Sequence, residues 1–201
     1  DNDSAKKTAS MINDQAAATG VTAVARTDLT LDFAATGSYG LKIQSDNATA
    51  QTITFTLTAV TGKDALSVAA TAINDQSSKT GVTAVVNSAG TGLTLTNATG
   101  NDISIDSVSG NAGDANVTKL DATGTASGAL VALTTAGTSS TTSGFIELDS
   151  QKSFAVTATT ANSLASSTST LNTVAGLDVT TVANSTQAIK TVDSALNMIN
   201  S

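Results

Sequence analysis

The chain has 201 residues and a formal net charge of −7, from 9 basic and 16 acidic side chains. It contains neither Cys nor His, which excludes disulfides, thiolate metal sites and the usual acid–base residue at neutral pH. An acidic surface repels phosphate backbones, so a nucleic-acid partner is excluded as well. The longest purely apolar run, GALVAL at 128–133, is far too short to span a membrane.

The residue types predict a strand-rich α+β fold. Thr and Val favour pleated, half-buried surfaces, whereas the Ala-rich stretches permit helices. Aromatic residues make up only 2% of the chain, so we expect thin, aliphatic cores. The expected architecture is a set of helix-plus-hairpin repeats that ends in a C-terminal helix.

An internal repeat organises the first half of the chain. Residues 9–25 and 70–86 align without a gap, and both contain INDQ followed, four residues later, by TGVTAV. Thr/Ala-rich sequence can imitate itself, but two ungapped blocks at a constant spacing indicate a duplication.

Each copy predicts a helix that runs into a hairpin. Apolar or small residues recur at helical spacing and mark one buried face: Ala5, Ala9, Ile12 and Ala16 in the first copy, and Leu66, Ala70, Ile73 and Ser77 in the second. Thr61 and Asp64 fit a capping box at the start of the second helix. Gly20 and Gly81 stand where a left-handed C-terminal cap is needed. INDQ itself is interpreted as a helix C-terminus with amide caps.

The period then changes to two, which predicts strands. Val21–Ala25 and Val82–Val86 are each followed by a turn and a return strand, at Leu29–Phe33 and Leu93–Leu95. Further strands are expected at Leu41–Ile43 and Ile53–Ala59, which lead into the second helix, at Ile103–Ile105, and around Val117, Leu120 and the GALVAL run. Phe145–Leu148 and Phe154–Val156 predict a hairpin.

Two later segments behave differently. Residues 109–143 are rich in Gly, Ser, Thr and Ala, so we expect them to bury little and face solvent. At the C-terminus, an apolar stripe of coiled-coil type predicts a helix whose packing partner is absent; its positions are Val182, Ser185, Ile189, Val192, Leu196 and Ile199.

The expected organisation has four parts. Residues 1–37 are a partial first repeat unit whose leading strands are missing, and 38–110 are a complete second unit. A variable β-rich segment follows at 111–160, and 161–201 open a helical C-terminal region. Because the chain begins at Asp1 without Met, we expect it to be a piece of a longer protein.

No catalytic, cofactor-binding or metal-binding residue is predicted. Ser4 and Lys7 match S-x-x-K but lack its companion motifs, and Ser4 fits a helix cap. Asp114, Asn116 and Asp121 resemble a calcium loop only loosely, so a polar turn is preferred. Asp102 and Asp106 are interpreted as solvated charges on an edge strand. The Asn-x-Ser/Thr sequons, at Asn2, Asn47, Asn97, Asn116 and Asn184, are attributed to chance.

Three segments of the chain resemble flagellins. The helix–INDQ–TGV motif is similar to the IN repeat of flagellins and hook-associated proteins. The tail at 177–201 resembles the entry into the C-terminal rod of flagellin, and GFIELDSQKSFAV at 144–156 resembles the hairpin before it. The matching tail positions are Asp178, Val179, Thr181, Ala188, Ile189, Val192, Asp193, Ala195, Leu196, Ile199 and Asn200.

The resemblance implies a structural, non-enzymatic subunit of the extracellular bacterial flagellar filament, used for swimming. This chain would form its outer domains, which are often O-glycosylated in the family. The implied partners are other flagellin subunits, with host antibodies and an innate receptor reached through rod regions not present here. The fragment alone is expected to be monomeric. Two other interpretations are a hook-associated or cap protein and a Thr-rich adhesin or surface-layer module.

Overall fold

The chain has an α+β fold. The computed structural model describes residues 3–134, 136–157, 166–180 and 182–199. The helices are α1 (Ala5–Asn13), α2 (Ala16–Thr19), α3 (Lys63–Asn74), α4 (Ser77–Thr80) and α5 (Val182–Ile199), with a 3₁₀ turn at Val174–Gly176. The strands are β1 (Val21–Phe33), β2 (Gly37–Gln44), β3 (Gln51–Leu57), β4 (Val82–Val86), β5 (Leu93–Asn97), β6 (Ile103–Ser107), β7 (Ala115–Lys119), β8 (Val131–Leu133), β9 (Ser139–Thr142), β10 (Phe145–Ser150), β11 (Ala155–Val156) and β12 (Ser167–Thr168).

The chain divides into two compact units, and both are discontinuous in sequence. The first unit consists of Asp1–Ala9 and Val24–Glu147. The second consists of Ser10–Ala23 and Leu148–Ser201. The two INDQ segments therefore lie in different units.

Two antiparallel sheets account for most of the first unit, although Val21–Ala23 of β1 and Leu148–Ser150 of β10 belong to the second. One has the strand order β4-β5-β1-β7-β8, with β10 paired to β1 off this path, and the other has the order β3-β2-β6-β9. Inward residues of both sheets and the buried face of α3 belong to one hydrophobic cluster. The predicted strand at 41–43 is confirmed as part of β2, and the one at 53–59 is confirmed as far as Leu57, where β3 ends. α3 packs against β3 and β4.

The core is less purely aliphatic than the composition suggests. Phe33, Tyr39 and Phe55 meet with ring centroids 4.9 to 5.8 Å apart. The Tyr39 hydroxyl donates a hydrogen bond to the carbonyl of Ala35 at 2.8 Å, which satisfies its polar end. The chain has few aromatic residues, but three of them form a cluster because β1, β2 and β3 each contribute one.

The predicted hairpin in the first copy is wrong. β1 runs unbroken from Val21 to Phe33, through the polar residues that suggested a turn. Arg26 and Asp28 form an ion pair at 2.7 Å, and Thr27 donates its hydroxyl hydrogen to the carbonyl of Asn101. These polar side chains are satisfied in an extended backbone, and β5 and β7 pair with the second half of the strand. In the second copy the hairpin is confirmed, because β4 and β5 pair antiparallel.

The capping box at the start of the second helix is also wrong. α3 begins at Lys63 and its N-cap is Gly62, at φ 99°, with no side-chain cap. The Gly62 amide donates a hydrogen bond to the carbonyl of Gly90 at 2.7 Å. The N-cap residue is therefore held by the loop between β4 and β5 and not by a side chain of its own helix. Asp64 does lie in the first turn, as expected.

Residues 109–143 bury more than we expected. They contribute β7, β8 and β9 to the sheets, and Ala115, Val117 and Leu133 are fully buried or nearly so. In β9 the small hydroxyl residues alternate, with Ser140 and Thr142 inward. Ser140 and Thr142 stand opposite Ile105 and Ile103 of β6, which are fully buried, so the pairing with β6 places these two small side chains on the inward face.

The C-terminal part confirms the predicted helix but not the predicted hairpin. Phe145–Ser150 pairs with β1, whereas Ala155–Val156 pairs with Ser167–Thr168. α5 spans Val182–Ile199; Thr181, Asn200 and the side chain of Val182 lie outside what the structure describes. In the described part of the chain, no helix has the length and apolar content needed to cross a membrane.

Candidate functional site

Asn74 binds the backbone of the strand that follows its helix. Its side-chain amide donates to the carbonyl of Ala84 at 2.8 Å, and its side-chain oxygen accepts from the Ala84 amide at 2.8 Å. A carboxamide carries the same donor and acceptor as a peptide group. β4 is the edge strand in the strand order of its sheet. The Asn74 side chain therefore pairs with β4 as one residue of a neighbouring strand would.

A tight turn brings the strand back to this asparagine. The chain continues through α4 to Gly81, which has φ 69° and donates its amide hydrogen to the carbonyl of Ser77 at 2.8 Å. Thr80 accepts a hydrogen bond from the Val82 amide at 3.2 Å and donates its own hydroxyl hydrogen to the Gln76 carbonyl at 3.1 Å. The positive φ explains the glycine, because other residues are strained there.

The isoleucine and the asparagine of the motif have separate tasks. Ile73 is fully buried in the hydrophobic core together with Leu66 and Ala69. Asn74, one residue on, points away from that core to the strand edge. The end of the helix is therefore held by two contacts, an apolar one from Ile73 to the core and a polar one from Asn74 to β4.

The first copy repeats this geometry almost atom for atom. Asn13 donates to the Ala23 carbonyl at 2.9 Å and accepts from the Ala23 amide at 2.7 Å. Gly20 has φ 69°, and the Val21 amide donates to the Thr19 hydroxyl at 3.2 Å. The predicted helix ends, left-handed glycines and following strands are thus confirmed in both copies.

Sequence reasoning missed what the asparagines do. We interpreted INDQ as a set of amide caps for the helix, but Asn13 and Asn74 bind the strand instead. A signal was present: both asparagines stand at the same spacing from the alanine they bind, at Ala23 and Ala84.

A polar network adjoins the second copy. The Asp46 carboxylate accepts hydrogen bonds from the side-chain amides of Asn97 and Asn101, at 2.7 and 2.8 Å. Asn97 is fully buried and also donates to the hydroxyl of Ser45. The Asp46 amide donates to the Thr80 carbonyl, so the β2–β3 turn is tied to the end of α4.

The other residues singled out in the sequence do not form a site. Ser4 accepts a hydrogen bond from the Lys7 amide at 3.4 Å, as a helix cap does, and Lys7 pairs with Asp3. Asn116 lies in β7, whereas Asp121 closes its own turn with Thr123 and Thr125. These hydrogen bonds hold the pKa of Asp121 below its usual value.

Asp102 and Asp106 do not lie on an edge strand, contrary to our expectation. β6 is paired on both sides, with β2 and β9, and Asp106 stands opposite Lys42. Asp102 precedes the strand, and burial raises the pKa of its carboxyl group, with smaller opposing effects from the Gly144 amide and the charge of Lys119. Among the described residues, no cluster of acidic side chains could hold a metal ion.

Comparison with known proteins identifies the second copy. Residues 40–99 match the family model of the flagellin hook IN motif, a range that begins within β2 and includes β3, the Asn74 turn, β4 and β5. No curated protein matches the chain significantly. Residues 40–99 are therefore a flagellin hook IN motif, and the chain carries an outer-domain module of a flagellin-like or hook-type flagellar protein.

Proposed function

We propose that the chain is part of a flagellin and forms outer, surface-exposed domains of the extracellular filament that drives swimming. The IN motif at 40–99 carries this proposal. The role is structural, without catalysis, because the family matched is one of structural proteins. Its partners are other flagellin subunits.

The exposed apolar side chains of α5 support the filament role. Ile189 is 64% exposed, Leu196 52% and Ile199 81%. Apolar residues at heptad spacing on an exposed helix face favour packing against another helix. This supports α5 as the beginning of a filament rod, in which a neighbouring helix would cover these side chains.

A hook-associated or cap protein is the second candidate, since the IN motif also belongs to hook proteins by its description. The two candidates differ in location along the flagellum. We would insert an epitope after Ser109, in an exposed turn, and label intact flagella with gold-conjugated antibody. Label along the whole filament supports flagellin. Label confined to the filament tip or the hook junction supports the second candidate, and label on the cell wall supports a surface-layer or adhesin role.

A matched pair of variants tests the role of α5. Ile189→Asp should leave folding intact but shorten filaments and reduce swimming, because it places a charge in a helix–helix contact. Leu130→Asp changes a similarly exposed leucine, at 57%, outside α5, and should leave filaments at normal length. Equal filament length in the two variants would contradict the proposed rod contact.

A further inference from the structure

We infer that the chain contains a second, split IN unit, in which residues 10–23 are completed by Leu148–Ser150 in the place of the return strand. The family match at 40–99 leaves both of these segments unassigned. Both belong to the second compact unit, whereas Val24–Glu147 belong to the first.

The helix end and strand of this unit reproduce the matched IN motif. The hydrogen bonds of Asn13 to Ala23 equal those of Asn74 to Ala84, within 0.1 Å for each bond. Gly20 has the same φ as Gly81. What the matched motif has in addition is a return strand, β5, paired with β4.

One contact identifies the missing strand. In the matched motif, the Thr83 hydroxyl donates to the carbonyl of Thr96, its direct partner on β5, at 3.4 Å. Thr22, the counterpart of Thr83, donates its hydroxyl hydrogen to the carbonyl of Asp149, also at 3.4 Å. Asp149 therefore occupies the position of Thr96.

The neighbouring residues agree with this register. Leu148 then takes the place of Leu95, which is an inward residue of β5, and Ser150 takes that of Asn97. Ser150 donates to the Gly20 carbonyl at 2.7 Å, so this polar residue also lies at the glycine turn. The alternation of apolar and polar residues is the same in both strands.

The two IN units differ in what joins their strands. In the matched motif a short loop, 87–92, connects β4 to β5. In the split unit the whole stretch from Val24 to Glu147, including the matched motif, stands in that loop's place. One IN unit is thus inserted into the strand connection of another.

Disulfide formation tests the register, because the chain has no cysteine of its own. We would compare three double variants of the full chain: Thr22→Cys with Asp149→Cys, the equivalent Thr83→Cys with Thr96→Cys, and an off-register control, Thr22→Cys with Glu147→Cys, two residues from Asp149 within β10. Directly opposed antiparallel residues lie about 5.5 Å apart at Cα, within disulfide range, whereas the control adds a displacement of about 6.8 Å along the strand.

We expect the first two variants to cross-link to a similar extent on oxidation and the control to cross-link little. A Thr22–Asp149 pair that cross-links no more than the control would overturn the inference. The split unit also predicts that Leu148→Asp, measured by amide hydrogen exchange, abolishes protection at Ala23 but not at Ala84. Unchanged protection at Ala23 would overturn it equally.

Discussion

At the scale of single residues, the two turn glycines differ only in their surroundings. Gly20 and Gly81 share φ 69°, but a Cβ at Gly20 would meet open space, whereas one at Gly81 would collide with the Asp46 carboxylate. That carboxylate is held by Asn97 and Asn101, so it cannot move away without breaking their hydrogen bonds.

Alanine at each glycine should separate backbone strain from this collision. We expect Gly20→Ala to lower the free energy of unfolding by about 1 kcal/mol, from left-handed strain alone. Gly81→Ala should cost clearly more. Chemical denaturation of both variants measures the difference. Equal losses of unfolding free energy would show that the Asp46 carboxylate moves aside without cost.

Asn13 and Asn74 should each need the side-chain NH₂ group that donates to the strand carbonyl. Asn74→Asp replaces the amide that binds the Ala84 carbonyl with an oxygen, and Asn13→Asp does the same at Ala23. Each variant should lose about 1–3 kcal/mol at neutral pH, because a carboxylate faces a carbonyl. At acid pH a protonated carboxyl can donate again, so part of the loss should return. Thermal unfolding at both pH values checks this; a loss that does not depend on pH would contradict it.

Asp102 should make the chain less stable as the pH rises. Burial raises the pKa of this carboxyl above 3.8, and its Oδ1 is buried without a hydrogen-bond partner among the described residues. A raised folded-state pKa means that the folded chain holds the proton more tightly than the unfolded chain. The resulting stabilisation is present below pH 3.8 and is lost as the pH rises through the folded-state pKa.

Asp102→Asn removes this titration and keeps the shape of the side chain. The difference in unfolding free energy between the variant and the original chain should therefore shift in the variant's favour as the pH rises from about 3 to 7. Urea denaturation across that range measures it. A difference that is constant with pH would show that Asp102 titrates normally.

At the scale of elements, the two repeat helices are alike in sequence but unequal in burial. Ile73 on α3 is fully buried, whereas Ile12 on α1 is only half-buried. α3 packs against β3 and β4, and so it has strands on its apolar face.

Truncating these isoleucines should reveal the inequality. Ile73→Ala should cost about 2–5 kcal/mol, as expected for a large cavity in a core. Ile12→Ala should cost less, because less of its side chain leaves an apolar environment. Equal losses in equilibrium unfolding would mean that the first helix is covered as well as the second.

The elements themselves were largely predictable, but their partners were not. The ends of the helices at INDQ could be predicted from the local spacing of apolar residues. The glycines after them could be predicted too, because a left-handed backbone conformation favours glycine. By contrast, the polar run Arg26–Asp28 indicated a turn and is extended, since β5 and an ion pair stabilise it as a strand. Similarly, the N-cap of α3 is Gly62 and not the expected capping box. The Gly62 amide binds the carbonyl of Gly90, a residue far along the chain.

At the scale of the whole molecule, β9 decides which surface hydroxyls are accessible. Ser139, Thr141 and Ser143 are exposed, whereas Ser140 and Thr142 are buried between them. If the proposed filament is O-glycosylated in this stretch, sugars should occupy only the exposed set. Site-resolved mass spectrometry of native filaments checks this, and a sugar on Ser140 or Thr142 would contradict the burial of β9.

The same strand changes what replacement of this stretch should do. Residues 134–143 belong to the segment that we expected to bury little and face solvent, but β9 pairs with β6 through its whole length. Replacing the stretch by Gly and Ser should therefore destabilise the first unit, because it removes two inward side chains and adds flexible glycines. An unchanged melting temperature would show that β9 contributes nothing to the sheet.

The sequence by itself determined the α+β class, the duplication, the left-handed glycines, the C-terminal helix and the flagellin-type motif. All of these depend on spacing within a few residues or on the conformational limits of one residue, which a linear pattern records. Only the tertiary structure decided that Asn13 and Asn74 bind strands and that part of 109–143 joins the sheets. It also decided that β10, and not the expected return strand at 29–33, contacts the start of β1 at Thr22. The reason is physical: backbone hydrogen bonds between strands are the same for almost any residue, so the sequence near a strand does not specify which distant strand will pair with it.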